Sequence, residues 1–103
     1  MRYELTVKRV ASDVRGIKKI TLEGEAGSVT LDEPEELLDL KEGEKVILAL
    51  NEKEQGVFSG NYLPVRVDKG DSLYSAYGLL ARFKGKFRLQ EKELKITLLR
   101  LQQ

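Results

Sequence analysis

Along Arg2 to Val10, the apolar residues Tyr3, Leu5 and Val7 alternate with Glu4, Thr6 and Lys8. A period of two predicts a strand with one face to a core and the other to water. After the turn-like stretch Ser12-Asp13-Val14-Arg15-Gly16, Ile20 and Leu22 keep the same period while Ile17 falls out of phase, so a bulge near Lys18 is expected to restore register. Gly24-Glu25-Ala26-Gly27 reads as the next turn, and Val29 and Leu31 mark a further short, half-buried strand.

Asp32-Glu33-Pro34-Glu35 carries the marks of a helix start. Asp32 is placed to cap, Glu35 to answer it from the third helical position, and Pro34 sits in a first turn that requires no backbone donor. Leu37, Leu38 and Leu40 give this short helix an apolar side, and Gly43 stops it. The run Val46-Ile47-Leu48-Ala49-Leu50 is apolar on both faces and predicts a strand in the middle of the fold, followed by a charged hairpin loop from Asn51 to Gly56. Val57 to Gly60 and Tyr62 to Val67 form two extended pieces, with Pro64 suited to an edge or strand start, and Lys69-Gly70-Asp71-Ser72 closes them as a turn.

Two later stretches admit both periods. Leu73, Tyr77 and Leu80 fit helical spacing, but apolar residues would then surround the helix, so the alternation from Leu73 to Phe83 is read as one strand through Lys84. Leu94, Ile96 and Leu98, with the β-branched Thr97, favour a strand over a helix to Leu101. Seven or so short strands, Gly-containing turns and one short helix predict an all-β sandwich or small barrel.

Composition narrows the function. The 103 residues, 41% hydrophobic and 34% charged, suit one domain spanning 1–103. There is no Cys and no His, which excludes disulfides, thiolate or imidazole metal ligands, and nucleophiles activated by an imidazole. No apolar run approaches the ~20 residues of a membrane span, and an intracellular, cytoplasmic protein is expected. The net charge of +1 conceals a dipolar chain: residues 32–56 hold three basic and nine acidic side chains, whereas 82–103 hold seven basic and two acidic.

Within the basic segment, Arg82, Lys84, Lys86 and Arg88 alternate with Phe83, Gly85 and Phe87. On one continuous strand the four cations would line one face, a pattern small barrels use to hold single-stranded nucleic acid. The two phenylalanines would then point to the opposite face and serve the core rather than stack bases. This favours a solvated or protein-contacting face over a nucleic-acid site, given the weak total charge. Glu35-Glu36 suits a helix start better than a catalytic carboxylate pair. The glycines match neither phosphate-binding nor dinucleotide motifs, and Asp68 and Asp71 are ordinary turn residues, so no catalytic, metal or cofactor site is expected.

Leu73-Tyr74-Ser75-Ala76-Tyr77-Gly78-Leu79-Leu80-Ala81-Arg82-Phe83-Lys84-Gly85, followed by Leu94-Lys95-Ile96-Thr97-Leu98-Leu99-Arg100-Leu101, resembles the C-terminal part of the small OB-fold subunit of archaeal DNA-directed RNA polymerase, the counterpart of the eighth subunit of eukaryotic RNA polymerases. Gly60-Asn61-Tyr62 is similar to a Gly-x-Tyr element upstream of it, so the resemblance spans about residues 60–101. The chain lacks the long charged loop of the eukaryotic members. The resemblance implies an OB-fold-like, partly open Greek-key barrel without chemistry or cofactors of its own, docked on the largest polymerase subunit near its pore and funnel side. Gly60, Tyr62, Tyr74, Gly78 and Leu80 are the expected partner-binding residues. Tyr77 and Leu79 are expected in the core, and Gly78 at a bulge, a close backbone approach or a barrel corner. The alternative is a freestanding OB-fold protein that binds single-stranded nucleic acid through Arg82, Lys84, Lys86 and Arg88. A barrel-mouth enzyme rests on fold analogy alone.

Overall fold

The computed structural model describes residues 1–34, 39–53 and 55–101. Eight antiparallel strands close into a barrel: β1 (Arg2–Ser12), β2 (Ile17–Gly24), β3 (Gly27–Pro34), β4 (Lys45–Leu50), β5 (Phe58–Asp68), β6 (Asp71–Ala76), β7 (Leu79–Gly85) and β8 (Leu94–Arg100). Around the barrel the order is β1-β2-β3-β7-β6-β5-β8-β4, and β4 pairs back onto β1. The sheet is therefore closed rather than partly open.

That order contains the same path twice. β1, β2 and β3 are hairpin neighbours and β4 returns beside β1; β5, β6 and β7 repeat the course and β8 returns beside β5. Two Greek keys thus meet along the β3–β7 and β4–β8 ladders. Each opens with a strand of 11 residues that carries one register shift, between Val7 and Arg9 in β1 and between Pro64 and Arg66 in β5. The extra residue, Lys8 or Val65, resets the alternation in the rest of its strand, so Val10 and Val67 turn back to pack on the core.

The expected bulge near Lys18 lies instead across the ladder at Lys8, because β2 runs in unbroken register with β3 from Ile17↔Pro34 to Gly24↔Gly27. The helix start at Asp32 is also overturned. Asp32 pairs with Lys19 and Pro34 with Ile17, which extends β3, and the inward series Val29, Leu31 ends on the buried Glu33. Pairing with β2 outweighs the local capping signal, and Pro34 is tolerated at the strand's end, where a missing donor costs little. Glu35, Glu36, Leu37 and Leu38 lie outside the described residues, and no helix occurs among those described.

Asn51 to Gly56 is not a hairpin loop, since β8 separates β4 from β5. β4 does lie within the sheet, between β1 and β8, as its apolar faces predict. The stretch Leu73–Lys84 is not one strand but the β6–β7 hairpin. Tyr77 (φ 53°) and Gly78 (φ 83°) form its two-residue loop between the paired Ala76 and Leu79, and left-handed dihedrals at both central positions match the right-handed twist of the flanking strands.

Inward side chains fill the barrel, and its two ends close differently. Where β3 finishes, the Tyr62 hydroxyl donates to Glu33 Oε1 at 2.6 Å, and both residues are buried. Where β3 begins, Tyr74, Phe83, Phe87 and Tyr3 meet edge to face with centroids 5.7, 5.5 and 4.9 Å apart. Gly27 and Gly85 are paired at this end, and a Cβ on Gly27 would stand 2.0 Å from the Lys84 carbonyl oxygen. Backbones approach here as only glycine permits.

Candidate docking face

On the outer side of β5, β6 and β7, Leu63 pairs with Ser75 and Ser75 with Leu80, so the two leucines share one row across three strands. Strand spacing sets them about 10 Å apart, with only a serine between. Leu63 is 62% and Leu80 40% exposed, and the bulge residue Val65 adds a third apolar side chain at 60%. One residue pair beyond this row, the β6–β7 turn carries the Tyr77 ring, wholly exposed. The left-handed turn requires it: the loop residue points away from both strands, so the ring has no core to enter.

Below the apolar row the face becomes charged and internally paired. Leu73 stands between Arg66 and Arg82 in the ladder. Arg66 bonds Asp68 at 3.1 Å and reaches Asp71 at 3.5 Å, while Arg82 binds both Asp71 oxygens at 3.2 and 3.0 Å. The hydrogen bond from Arg82 holds the Asp71 carboxyl below its usual range and raises the Arg82 guanidinium in return. On the β3 side, Asp32 accepts from the Leu80 amide at 3.4 Å and lies 3.7 Å from Lys19. A groove of about 360 Å³ runs between them, with Leu73 and Leu80 beside Thr30, Arg82 and Lys84. An apolar centre with a polar, paired rim is the anatomy of a protein interface.

The expected partner-binding residues divide. Leu80 lies on the outer face as expected, and Gly78 shapes the turn beside it rather than a bulge or corner. Tyr74 does not face a partner: it is buried, its ring meets Phe83, and its hydroxyl donates to the Gln90 carbonyl at 2.7 Å. Tyr62 is likewise buried against Glu33. Gly60 pairs with the buried Ile96, and a Cβ there would come 3.1 Å from the rings of both Phe58 and Tyr62, so it makes room for core aromatics. Tyr77, expected in the core, is the exposed one. Two intervening turn residues reverse the face assignment that a continuous strand implies. Leu63 and Val65 were legible only in part, since an inward Tyr62 makes Leu63 outward, whereas Val65 faces out because of the bulge.

The cationic series does not form one line either. Arg82 and Lys84 project from β7, which ends at Gly85, and Lys86 and Arg88 follow in an exposed segment. Phe83 and Phe87 turn inward, as the alternation predicts. Arg82 is committed to Asp71, while Lys84, Lys86 and Arg88 have no ion-pair partner among the described residues.

The ionisable group most altered by the fold is Glu33. Burial pushes its carboxyl up to about 7, against the opposing hydrogen bond from Tyr62, and neighbouring Asp32 adds to the rise. Burial, then Glu33 itself, raises the Tyr62 phenol. The pair closes one barrel end, and Glu33 is 1% exposed. No helix among the described residues is long and apolar enough to cross a membrane. Compared with models of known protein families and with curated proteins, the chain matches none.

Proposed function

We propose that the protein is a non-catalytic accessory subunit of DNA-directed RNA polymerase, an OB-like barrel that docks on the largest subunit through the outer face of β5, β6 and β7. The reading is supported by the resemblance over residues 60–101, whose Tyr77-Gly78-Leu79-Leu80 segment supplies the turn and the outward leucine. The observation that carries it is the exposed row of Leu63 and Leu80 on a barrel whose interior is already filled. Such a patch adds nothing to the isolated fold and gains only when covered. The test is co-purification with the polymerase's large subunits. The wild-type chain is expected to travel with them, and Leu63→Glu/Leu80→Glu to fold normally and travel alone. A wild-type chain that never associates with those subunits, or a double variant that associates as well as wild type, defeats the reading.

A second reading, a single-stranded nucleic-acid binder, draws on Lys84, Lys86 and Arg88, which make no close ion pair among the described residues, although Asp71 lies opposite Lys84 in the ladder. It predicts a salt-dependent affinity whose slope falls when these are replaced by alanine. With Phe83 buried, a single part-buried ring, Phe87, accompanies the cations instead of a row on which successive bases could stack, so the docking reading stands first.

A further inference from the structure

At the barrel end where β3 begins, a cleft of about 670 Å³ opens between the β5–β6 turn and the segment after β7. Its apolar walls are Val67, Phe83, Phe87 and Leu89, and Phe83 and Phe87 are two rungs of the aromatic series that spans this end. The walls are fixed in place. The Gly85 amide donates to the Gly70 carbonyl at 3.0 Å, the Arg88 amide to the Tyr3 hydroxyl at 2.9 Å, and the Tyr74 hydroxyl to the Gln90 carbonyl at 2.7 Å. A cleft held open in this way offers apolar surface without first having to be ordered.

Its charge is directional. Asp68 and Asp71 at the rim are neutralised by Arg66 and Arg82. Lys69 and Lys86, on the two strands of chain that the Gly85–Gly70 bond joins, have no ion-pair partner among the described residues. The mouth therefore presents two uncompensated cations beside the part-buried Phe87 ring and the Leu89 side chain.

We propose that this cleft binds an aromatic carboxylate, with the ring against the part-buried Phe87 and Leu89 and the carboxylate between Lys69 and Lys86. Offset or edge-to-face packing serves the ring, and the ammonium groups serve the anion. The site lies at the end of the barrel, apart from the β5–β6–β7 face, and does not depend on the docking reading.

Amide-detected NMR titration of the full chain tests it, with 3-phenylpropionate as the probe and 3-phenylpropanol as its uncharged match. Saturable shifts are expected at Gly70, Ser72, Gly85 and Phe87. The alcohol is expected to bind about tenfold more weakly, which is the scale of two exposed charge contacts. Lys69→Ala/Lys86→Ala, a surface change that leaves the fold intact, should abolish the preference for the acid, and Leu63→Glu/Leu80→Glu should leave it unchanged. No saturable shift at these amides, shifts confined to another surface, equal binding of acid and alcohol, or a preference that survives the lysine double variant would each overturn the proposal.

Discussion

The two Greek keys follow one path but dress it differently. Both begin with an 11-residue bulged strand, and both send apolar residues inward at alternate positions. Outside, the first key shows Glu4, Thr6, Lys19, Thr21, Ser28 and Thr30 on β1–β3, with Ile47 and Ala49 on β4 not exposed, whereas the second shows Leu63, Val65, Leu73 and Leu80. Since β1, β2 and β3 build most of the first key with mainly polar side chains outward, the barrel does not require the exposed apolar side chains of the second. What the second key carries in excess is exposed apolar surface.

The largest effect should come from testing that the interiors of the two keys are alike while the exteriors are not. Phe83→Ala removes a fully buried ring and should cost about 3–5 kcal/mol in denaturant unfolding. A loss under ~1 kcal/mol would mean that the aromatic end of the barrel is not a packed core.

The next separates the two ends. Glu33 stays protonated in the folded chain up to pH about 7, whereas the unfolded chain releases that proton near an ordinary carboxyl pKa. The stability that Glu33 contributes is therefore fully present at and below that ordinary pKa, falls as pH rises toward 7, and levels off above it, by about 3 kcal/mol in all. Unfolding measured across this range should show the fall in wild type and little of it in Glu33→Gln. The same slope in both would remove Glu33 as its source. The aromatic end offers no equivalent group, so Phe83→Ala should keep the slope.

A smaller effect sharpens the contrast at the turn. Tyr77 occupies a left-handed conformation that a non-glycine residue adopts at a cost of about 1 kcal/mol, and Asn followed by Gly is the better pair for such a loop. Tyr77→Asn should raise the thermal midpoint by a few degrees. Stabilisation combined with weakened polymerase association would show that the ring is kept for binding. The smallest effect is expected on the outer row: Leu63→Glu and Leu80→Glu should each shift stability by no more than about 0.5 kcal/mol. Global unfolding of either would place the row in the core and dissolve the contrast between the keys.

Much of this barrel was legible in the chain. Alternation marked the strands from Tyr3 to Val7, Ile20 to Leu31 and Leu94 to Leu98, and the doubly apolar run from Val46 to Leu50 announced a strand flanked on both sides. The misreadings fell where a local signal met a distant partner. Asp32-Glu33-Pro34 has the chemistry of a helix cap, yet β2 takes it as strand, and a buried glutamate results. Tyr77-Gly78 was absorbed into an alternation that continues across it by coincidence, and that inverted the faces assigned to both tyrosines.

The order of residues along each strand, taken alone, determined which positions could face a core, because successive side chains of an extended backbone point to opposite sides. It also settled the chemistry excluded by the lack of Cys and His. Tertiary structure decided the rest: that the path repeats, that the sheet closes, and that Leu63 and Leu80 stand in one row beside the turn that carries Tyr77. These depend on register between strands and on where a single extra residue or a two-residue loop resets the phase. Such features depend on the pairing of segments far apart in the chain, which no local period encodes.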